Sequence, residues 1–393
     1  MCVKYYYSRQ SMNIAPRFVD GRATGHPEFH EPHPVSTHTH PRHVDPEYDG
    51  CMQKNAHDNL WVITAISNPV RFKTRYALYR KFKHHITNEL KLNLITVECA
   101  LGRRDFQLTK DCANETVITN TLENGVKTVD VRVRNNSQIW LKENLWNIGA
   151  RFIPHDCEYV LFADADIQFT NPHFATELVN SLQEYRVVQP FETACDMGPD
   201  GQVMNVHRSF GYCHAQGWEW RPKPNGNGAY YAEKPANKKG PTGYGVPFHP
   251  GFAFGFRRSV LERLPLMETG VLGAGDHHMC GALIGKAKLT LPSKIHPAYK
   301  KDVLRWQDRA DEVVRGSFGY VNGTILHDFH GAKKNRKYVS RWDILTEHTY
   351  NPETDIYRNV YGVLELEKDK KSGLRDAIME YFRTRNEDSP EMD

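Results

Sequence analysis

Two acidic residues, Asp164 and Asp166, follow directly after the apolar run Tyr159-Val160-Leu161-Phe162-Ala163. The run is rich in strand-forming residues, so we expect a buried strand that ends at the first acid. Residues i and i+2 of a strand project to the same side, and the two carboxylates can therefore share one target. Ligands of open α/β sheets bind at such strand ends. We expect the target to be Mg²⁺ or Mn²⁺ with a phosphate behind it; the alternative is a pair of solvated acids at a helix start.

Two histidines, His327 and His330, are the second candidates, within Leu326-His327-Asp328-Phe329-His330-Gly331. A lone histidine is usually structural, but two at the end of an apolar run can complete an acid-rich Mn²⁺ site. The basic run Lys333-Lys334-Asn335-Arg336-Lys337 follows at once. Next to a metal site, this run could bind phosphates. The alternative is an ordinary solvated surface patch.

Asp276 is the third candidate, because it follows Gly273 and Gly275, and glycines let a backbone approach a ligand closely. It stands at the start of an expected helix, where Asp is a common N-cap. The functional interpretation is a general base that takes a proton from an attacking hydroxyl. The two interpretations are compatible. His277 and His278 could shift the pKa of this base, act in its place or contact the acceptor, the molecule that carries the attacking hydroxyl.

Polar residues near the ends of other expected elements are candidates for binding a nucleotide. Groups at the carboxyl ends of sheet strands commonly bind a base and ribose, although each residue alone is a weak indication. The candidate donor-binding residues are Thr64, Asn68, Arg71, Glu98, Lys142, Asn144 and Asp164.

Residues 205–248 form a long stretch with little regular pattern, in which aromatic residues lie among Gly, Pro, Asn and Lys. Aromatic faces could stack there on sugar rings or on nucleobases. We therefore expect an acceptor-binding role for Trp218 and Trp220. Further aromatic and basic residues of this segment are Tyr230, Tyr231, Lys234, Lys238 and Lys239.

From Leu60 onward, apolar runs of strand length alternate with segments of helical periodicity. This alternation predicts an α/β fold with a mostly parallel sheet flanked by helices, and with an irregular insertion on the acceptor side. Strands are expected at residues 60–66, 92–99, 128–133, 159–162, 187–189 and 251–256, and helices at 76–90, 140–153, 173–185, 258–264 and 279–284.

The two ends of the chain differ from its middle. Residues 1–57 are rich in His and Pro with little apolar periodicity, so we expect a poorly ordered arm. A metal-binding histidine tract is the alternative, although no fixed ligand spacing is evident. Residues 366–393 are expected to form a charged helix and tail at the surface.

Composition describes a globular protein, with 39% hydrophobic and 25% charged residues among 393 and a formal net charge of +4. This charge is too small to predict a polyanionic partner. The sequence lacks an 18-residue apolar run and an apolar signal-peptide core, so we expect no membrane span and a cytoplasmic location. Eight scattered cysteines without a C-x-x-C pair favour reduced thiols.

Taken together and in this order, these residues resemble the GT-A type of glycosyltransferase over about residues 60–365. The resemblance does not cover the first 57 residues or the aromatic segment. Several stretches are also similar to a group of phage and bacterial GT-A-like proteins. These stretches are Val97-Glu98-Cys99-Ala100-Leu101-Gly102, Trp140-Leu141-Lys142-Glu143-Asn144, Ala163-Asp164-Ala165-Asp166-Ile167, Leu272-Gly273-Ala274-Gly275-Asp276-His277-His278-Met279, His327-Asp328-Phe329-His330-Gly331 and Asn335-Arg336-Lys337-Tyr338-Val339-Ser340-Arg341.

The resemblance implies a GT-A (Rossmann-like) domain over residues 58–365, with a nucleotide-sugar half at 58–200 and an acceptor half at 201–330. Asp166 would bind Mn²⁺ or Mg²⁺ directly, while Asp164 would hold the donor ribose or a metal-bound water. His330, with His327 as second choice, would complete the metal shell. Asp276 would deprotonate the acceptor hydroxyl and give inversion; the alternative is acceptor binding in a retaining enzyme.

Three other functions fit parts of the same pattern. A nucleotidyltransferase can share the α/β fold, the strand-end acid and the metal. A metal-dependent phosphodiesterase could use the acids and the histidine pair, and a non-catalytic glycan-binding protein could use the aromatic segment. For a glycosyltransferase, the acceptor could be a glycan, a lipid-linked sugar or a modified DNA base, and a viral protein would act in the host-cell cytoplasm.

Overall fold

The computed structural model describes residues 59–109, 116–222, 229–232 and 248–392. The chain divides into two units, Met1–Gln53 and Lys54–Asp393, and every described residue belongs to the second. The expected N-terminal arm, residues 1–57, therefore lies outside the described residues. The basic residues of the aromatic segment, Lys234, Lys238 and Lys239, lie outside them as well.

Strands occur along most of the described chain, many of them in the apolar runs from which they were predicted. In chain order they are β1 (Leu60–Ser67), β2 (Asn93–Leu101), β3 (Val117–Thr121), β4 (Lys127–Asn135), β5 (Tyr159–Ala163), β6 (Ile167–Phe169), β7 (Val187–Gln189), β8 (Thr193–Met197), β9 (Val203–Ser209), β10 (Glu219–Pro222), β11 (Ala229–Ala232), β12 (Phe248–His249), β13 (Ala253–Arg257), β14 (Phe318–Tyr320), β15 (Thr324–His327), β16 (Ile356–Arg358) and β17 (Leu364–Leu366).

Helices connect many of these strands, and none within the described part of the chain is long and apolar enough to cross a membrane. In chain order they are α1 (Lys73–His84), α2 (Lys142–Gly149), α3 (Phe174–Glu184), α4 (Phe210–Ala215), α5 (Arg258–Leu261), α6 (Gly275–Leu283), α7 (Pro297–Val313), α8 (Arg341–Glu347) and α9 (Ser372–Thr384). A π-helical turn, His85–Glu89, extends α1, and short 3₁₀ turns follow at Ala150–Phe152, Ala287–Thr290 and Lys333–Arg336.

The largest sheet among the described residues has the strand order β14-β7-β13-β5-β1-β2-β4-β3 and is mostly parallel, as the alternating pattern predicted. Strands β5, β1, β2 and β4 run parallel to one another, whereas β13 runs antiparallel to both β5 and β7. Because β5 and β1 lie in the middle of this central sheet, Asp164 emerges at the middle of its carboxyl edge.

Apolar side chains pack on both faces of the central sheet, as expected for strands covered by helices. Along β1, Trp61 and Ile63 belong to one buried cluster, and Leu60 and Val62 belong to another. Successive strand residues point to opposite faces, so the two clusters form the two sides of the sheet. Helix α2 contributes to the first cluster, and α1 and α3 contribute to the second.

A second sheet has the strand order β12-β9-β8-β15-β6, and its strand β6 begins directly after Asp166. The chain leaves the central sheet at Ala163, passes through Asp164 and Asp166, and enters the second sheet at Ile167. Strand β15 runs antiparallel to β6, with His327 opposite Ile167. The register therefore brings the late histidine motif beside the acidic motif, although 160 residues separate them in the sequence.

The expected irregular insertion contains regular structure wherever it is described. Strand β9, helix α4 and the antiparallel pair β10–β11 lie between residues 203 and 232. Side chains of this region pack on one another edge-on, including Phe210, Trp220 and Tyr231. The aromatic residues that made the segment look irregular thus extend the buried cluster on one face of the central sheet.

The C-terminal part contains a helix, α9, that packs one face on the core and exposes charged residues such as Asp376 and Glu380 on the other. Helix α9 has apolar residues at the spacing i, i+4, i+7 and i+8, a stripe that faces the interior. Residues 385–388, which we call the C-terminal strap, continue inward and carry Arg385 and Glu387, which are 3% and 2% exposed. The buried stripe of α9 consists of Leu374, Ile378, Tyr381 and Phe382.

The C-terminal strap contacts two earlier elements. Asp388 accepts hydrogen bonds from the backbone N–H groups of Lys73 and Thr74 at 3.0 and 2.8 Å, and so caps α1. Gly331 has φ +81°, and a Cβ there would lie 2.9 Å from the backbone oxygen of Asn386. The glycine after the histidine motif therefore makes room for the strap.

Candidate functional site

A cavity of about 900 Å³ opens at the carboxyl ends of β1 and β5. It is lined by residues from both sheets, from the start of α6 and from the C-terminal strap. The structure thus brings together residues that lie far apart in the sequence. The predicted site residues among its lining are Asn68, Lys142, Asp164, Asp166, Asp276, His277, His327 and His330.

Asp166, His327 and His330 form a compact cluster on one side of the cavity. The Nε2 atom of His330 lies 3.2 Å from Oδ2 of Asp166 and 3.2 Å from Nε2 of His327. The Nε2 atom of His327 lies 3.9 Å from Oδ1 of Asp166. One donor atom from each residue falls within 4.8 Å of the others. We call these three residues the metal triad.

The metal triad fits a first-row divalent cation. One carboxylate and two imidazoles form a donor set that suits Mn²⁺ better than Mg²⁺, which prefers oxygen ligands. The Oδ1 atom of Asp166 is buried and has no hydrogen-bond partner among the described residues. Arg336 donates to Nε2 of His330 at 3.1 Å, so its guanidinium must turn when a metal takes that lone pair.

Lys142 lies between two carboxylates at the centre of the cavity. Its Nζ is 3.3 Å from Oδ1 of Asp164 and 3.4 Å from Oδ2 of Asp276. Burial opposes a charged ammonium, but the two carboxylates outweigh it and raise the pKa of Lys142. Asp164 therefore contacts the lysine and lies outside the metal triad of Asp166, His327 and His330.

The pKa values of the two acids beside Lys142 shift in opposite directions. Burial raises the pKa of Asp164 above its usual range, and the opposing effect of Lys142 is the smaller one. Burial would also raise the pKa of Asp276, but Lys142 and the hydrogen bond from the N–H of His277 outweigh it and hold that pKa below its usual range. Asp276 is therefore the carboxylate that stays ionised most readily.

Backbone geometry presents Asp276 to the cavity. It lies in the first turn of α6, after Gly273 and Ala274, which have φ values of +93° and +75°. Its Oδ1 accepts a hydrogen bond from the N–H of His277 at 2.7 Å. A Cβ on Gly251 would overlap Oδ2 of Asp276, so the glycine permits this approach. Ala274 holds a backbone conformation that is costly without glycine, as often found at functional sites.

Three of the candidate donor-binding residues hold protein backbone or neighbouring side chains. Thr64 donates to the carbonyl of Ala163 at 2.8 Å. Glu98 accepts two backbone N–H groups of the loop after β2, at 2.6 and 3.1 Å. Asn144 donates at 2.8 Å to a carboxylate before α6, that of Glu268. These side chains support the walls of the site.

Two more candidates of the donor-binding set, Asn68 and Arg71, follow β1. Asn68 lines the cavity, but its amide is bound to the backbone N–H and carbonyl of Phe72, at 3.0 and 2.8 Å. Arg71 is exposed and is not among the described lining residues. Of the expected donor-binding set, Lys142 and Asp164 therefore offer charged groups to the cavity.

Of the expected acceptor-binding residues, His277 lines the cavity. His278 is fully buried, with Nδ1 2.6 Å from the hydroxyl of Thr290 and Nε2 3.1 Å from that of Tyr299. Trp220 is 2% exposed and packs edge-on against His277. These contacts make His278 and Trp220 parts of the wall behind His277.

Trp218, the remaining acceptor candidate, is half-buried and packs edge-on against Tyr212, with 5.7 Å between the ring centroids. It is not among the described residues that line the cavity. The structure therefore places its ring against the protein and away from the metal triad.

Sequence reasoning missed several residues that contribute to the site. His249 lines the cavity and stacks on Phe252 with 3.7 Å between ring centroids. Burial lowers the pKa of His249 well below its usual range, so its imidazole is neutral. Asp196 contacts His327. The one sign of it in the sequence is that an acidic residue occupies an inward-facing position of a short strand.

No protein-family model and no curated protein matches this chain. Solved structures that it resembles include a mannosyltransferase from Pyrobaculum calidifontis in complex with GDP-Man and Mn²⁺, at 13% identity and a TM-score of 0.34, covering 74% of this chain and 61% of that one. Another is the catalytic domain of Drosophila β1,4-galactosyltransferase 7 with xylobiose, at 10% identity and a TM-score of 0.31, covering 81% and 98%. A third is 4-diphosphocytidyl-2C-methyl-D-erythritol synthase from Anaerococcus prevotii, at 10% identity and a TM-score of 0.32, covering 68% and 89%. At these TM-scores, the function must be argued from the site itself.

Proposed function

We propose that this protein transfers a sugar from a nucleotide-sugar donor to an acceptor hydroxyl in a reaction that depends on a divalent metal. One observation carries the proposal. A single cavity contains both the metal triad and Asp276, with Lys142 and Asp164 between them. This arrangement supplies a place for a diphosphate leaving group and a base for the attacking hydroxyl.

The metal triad would hold Mn²⁺ or Mg²⁺. When bound, the metal neutralises charge on the diphosphate as it leaves. Arg336 supports this assignment, because it is 7% exposed, lines the cavity and forms no ion pair with a carboxylate of the described residues. Its Nε atom is buried without a hydrogen-bond partner among them. A phosphate oxygen would satisfy this guanidinium.

Asp276 would act as the general base. The acceptor oxygen attacks the anomeric carbon, its proton passes to the carboxylate, and the bond from that carbon to the diphosphate oxygen breaks, which inverts the configuration. The lowered pKa of Asp276 keeps it ionised near neutral pH. His277 lies beside it at the cavity wall and is the proposed contact for the acceptor.

The first test is a thermal-shift panel of nucleoside diphosphates and nucleotide sugars with and without Mn²⁺. We expect stabilisation that requires both the metal and a diphosphate. A protein that binds glycans alone should instead be stabilised by sugars without metal or nucleotide.

The second test identifies the products formed with glycan, lipid-linked sugar and modified-DNA acceptors. A glycosyltransferase releases a nucleoside diphosphate or monophosphate. Release of pyrophosphate would show a nucleotidyltransferase, and cleavage of a phosphodiester without any sugar donor would show a phosphodiesterase. Either of these results contradicts the proposal.

A further inference from the structure

Asp196 is a buried carboxylate on β8 that lies directly behind the metal triad. Strand β8 runs parallel to β15, and the register places Asp196 opposite His327. Asp196 is 5% exposed and His327 is 6% exposed. The contact is therefore built by two paired strands and does not depend on a loop.

Three hydrogen-bond donors converge on this carboxylate. Its Oδ1 lies 2.8 Å from Nδ1 of His327, and its Oδ2 lies 2.6 Å from Nε2 of His207. The ammonium of Lys333 also donates to Oδ2. The first residue of the basic run therefore binds Asp196, whereas Arg336 from the same run lines the cavity beside the metal triad.

An ionised carboxylate only accepts hydrogen bonds, so a neutral His327 beside it must carry its proton on Nδ1. The Nε2 atom then keeps its lone pair. This atom faces the other two residues of the metal triad, at 3.2 Å from Nε2 of His330 and 3.9 Å from Oδ1 of Asp166. The hydrogen bond from Nδ1 thus decides which nitrogen can bind a metal.

We propose that Asp196 is a positioning residue that fixes His327 in the Nδ1–H form and so prepares its Nε2 as a metal ligand. The inference rests on the metal triad of the proposed function. It assigns a role to a residue that lies outside the metal triad and is not among the described residues that line the cavity.

Lys333 makes the substitution Asp196→Asn informative. An ammonium can only donate, so it holds the amide oxygen on its own side of the side chain. The amide NH₂ then faces Nδ1 of His327, which must accept the hydrogen bond. The imidazole proton moves to Nε2, and a metal can bind that nitrogen only after the proton has returned to Nδ1 against this hydrogen bond.

The test is a titration of the full-length protein with Mn²⁺, in which free Mn²⁺ is measured by electron paramagnetic resonance. We expect Asp196→Asn to weaken Mn²⁺ binding about 10–100-fold. The matched control is Glu192→Gln, which changes a carboxylate that pairs with Arg208 near the start of the same strand. The control should bind Mn²⁺ as the wild type does.

A second measurement reads the histidine tautomer directly, by long-range ¹H–¹⁵N correlation of the ring nitrogens in the metal-free protein. We expect His327 to carry its proton on Nδ1 in the wild type and on Nε2 in Asp196→Asn. A purely structural role for Asp196 would not move this signal.

Two different results would overturn the inference. If the wild type binds Mn²⁺ and Asp196→Asn binds it equally well, the role of Asp196 is wrong while the metal triad stands. If the wild type does not bind Mn²⁺ at all, the proposed metal site is wrong and the inference falls with it.

Discussion

The ammonium nitrogen of Lys142 lies 3.4 Å from Oδ2 of Asp276, so the proposed base is paired with a cation before any substrate enters. The same nitrogen lies 3.3 Å from Oδ1 of Asp164. When an acceptor hydroxyl displaces Lys142 from Asp276, Lys142 can therefore keep Asp164 as its carboxylate partner. Loss of the contact with Lys142 would raise the pKa of Asp276 and make it a stronger base at the moment of transfer.

Asp276→Asn should nearly abolish turnover while sparing donor binding. The amide keeps the shape and can still accept the N–H of His277, but it cannot take the acceptor proton. We expect kcat to fall about 10²–10⁴-fold, measured as release of nucleoside diphosphate. The thermal shift with nucleoside diphosphate and Mn²⁺ should be unchanged.

The control for that variant is Asp343→Asn, because Asp343 lines the same cavity and has no proposed role. It should retain turnover. Wild-type turnover in Asp276→Asn would show that another group accepts the proton.

Asp166→Ala should remove the stabilisation that a nucleoside diphosphate gives in the presence of Mn²⁺. The substitution deletes the one carboxylate of the metal triad, and stabilisation by a ligand disappears when its concentration stays below Kd. The measurement is the melting temperature with diphosphate, with and without Mn²⁺. Asp328→Asn is the control, because that carboxylate binds Lys81 and Gln168 instead. Full metal-dependent stabilisation of Asp166→Ala would contradict the site.

Stability should fall in mild acid because of His278. Burial lowers the pKa of His278 from 6.5 to about 3. The unfolded histidine takes up a proton as the pH falls through 6.5, and the folded one does not until about pH 3, so stability is lost as the pH falls. Between pH 7 and pH 5 this group alone should lower the free energy of unfolding by about 2 kcal/mol.

The measurement is urea unfolding of the wild type and of His278→Asn at both pH values. The variant should lose about 2 kcal/mol less than the wild type over this range. His173→Asn, which changes an exposed histidine, should show the wild-type dependence. An unchanged pH dependence in His278→Asn would show that the buried imidazole is not the group that titrates.

Glu387→Gln should destabilise the protein through the C-terminal strap. The Glu387 carboxylate accepts from Nη2 of Arg75 at 2.7 Å and from Nε of Arg385 at 2.6 Å. Removing its charge leaves two guanidinium groups without their anionic partner, at a cost of about 3 kcal/mol. Denaturant unfolding measures this loss. Glu391→Gln changes an exposed carboxylate and should have little effect; equal stability of the two variants would contradict the prediction.

The alternating pattern predicted much of the central sheet, because buried parallel strands are continuous apolar runs that can be recognised locally. Strand β5 and helix α3 lie within one residue of their expected bounds. Helix α7 was not predicted, although Pro297 begins it, which is an ordinary start signal; its cap is His296, a residue that seldom marks a helix start.

The sequence predicted a shared metal site for Asp164, Asp166, His327 and His330, since each lies in a short motif near an apolar run. The structure brings the last three together and places Asp164 against Lys142. Asp196 could not be predicted, because its role depends on the register between β8 and β15, which are far apart in the sequence. Trp220 was expected to contact an acceptor. In the structure it is 2% exposed, because large aromatic rings are strongly stabilised by burial.

The close approach of the C-terminal strap to Gly331 has a consequence for the order of events during synthesis. One wall of the cavity is made by Arg385 and Glu387, while another is made by residues that follow β1. Strand β1 leaves the ribosome more than 300 residues before the strap does. The cavity is therefore incomplete until the strap has been synthesised, and until then the histidines of the metal triad lack the cover that the strap provides.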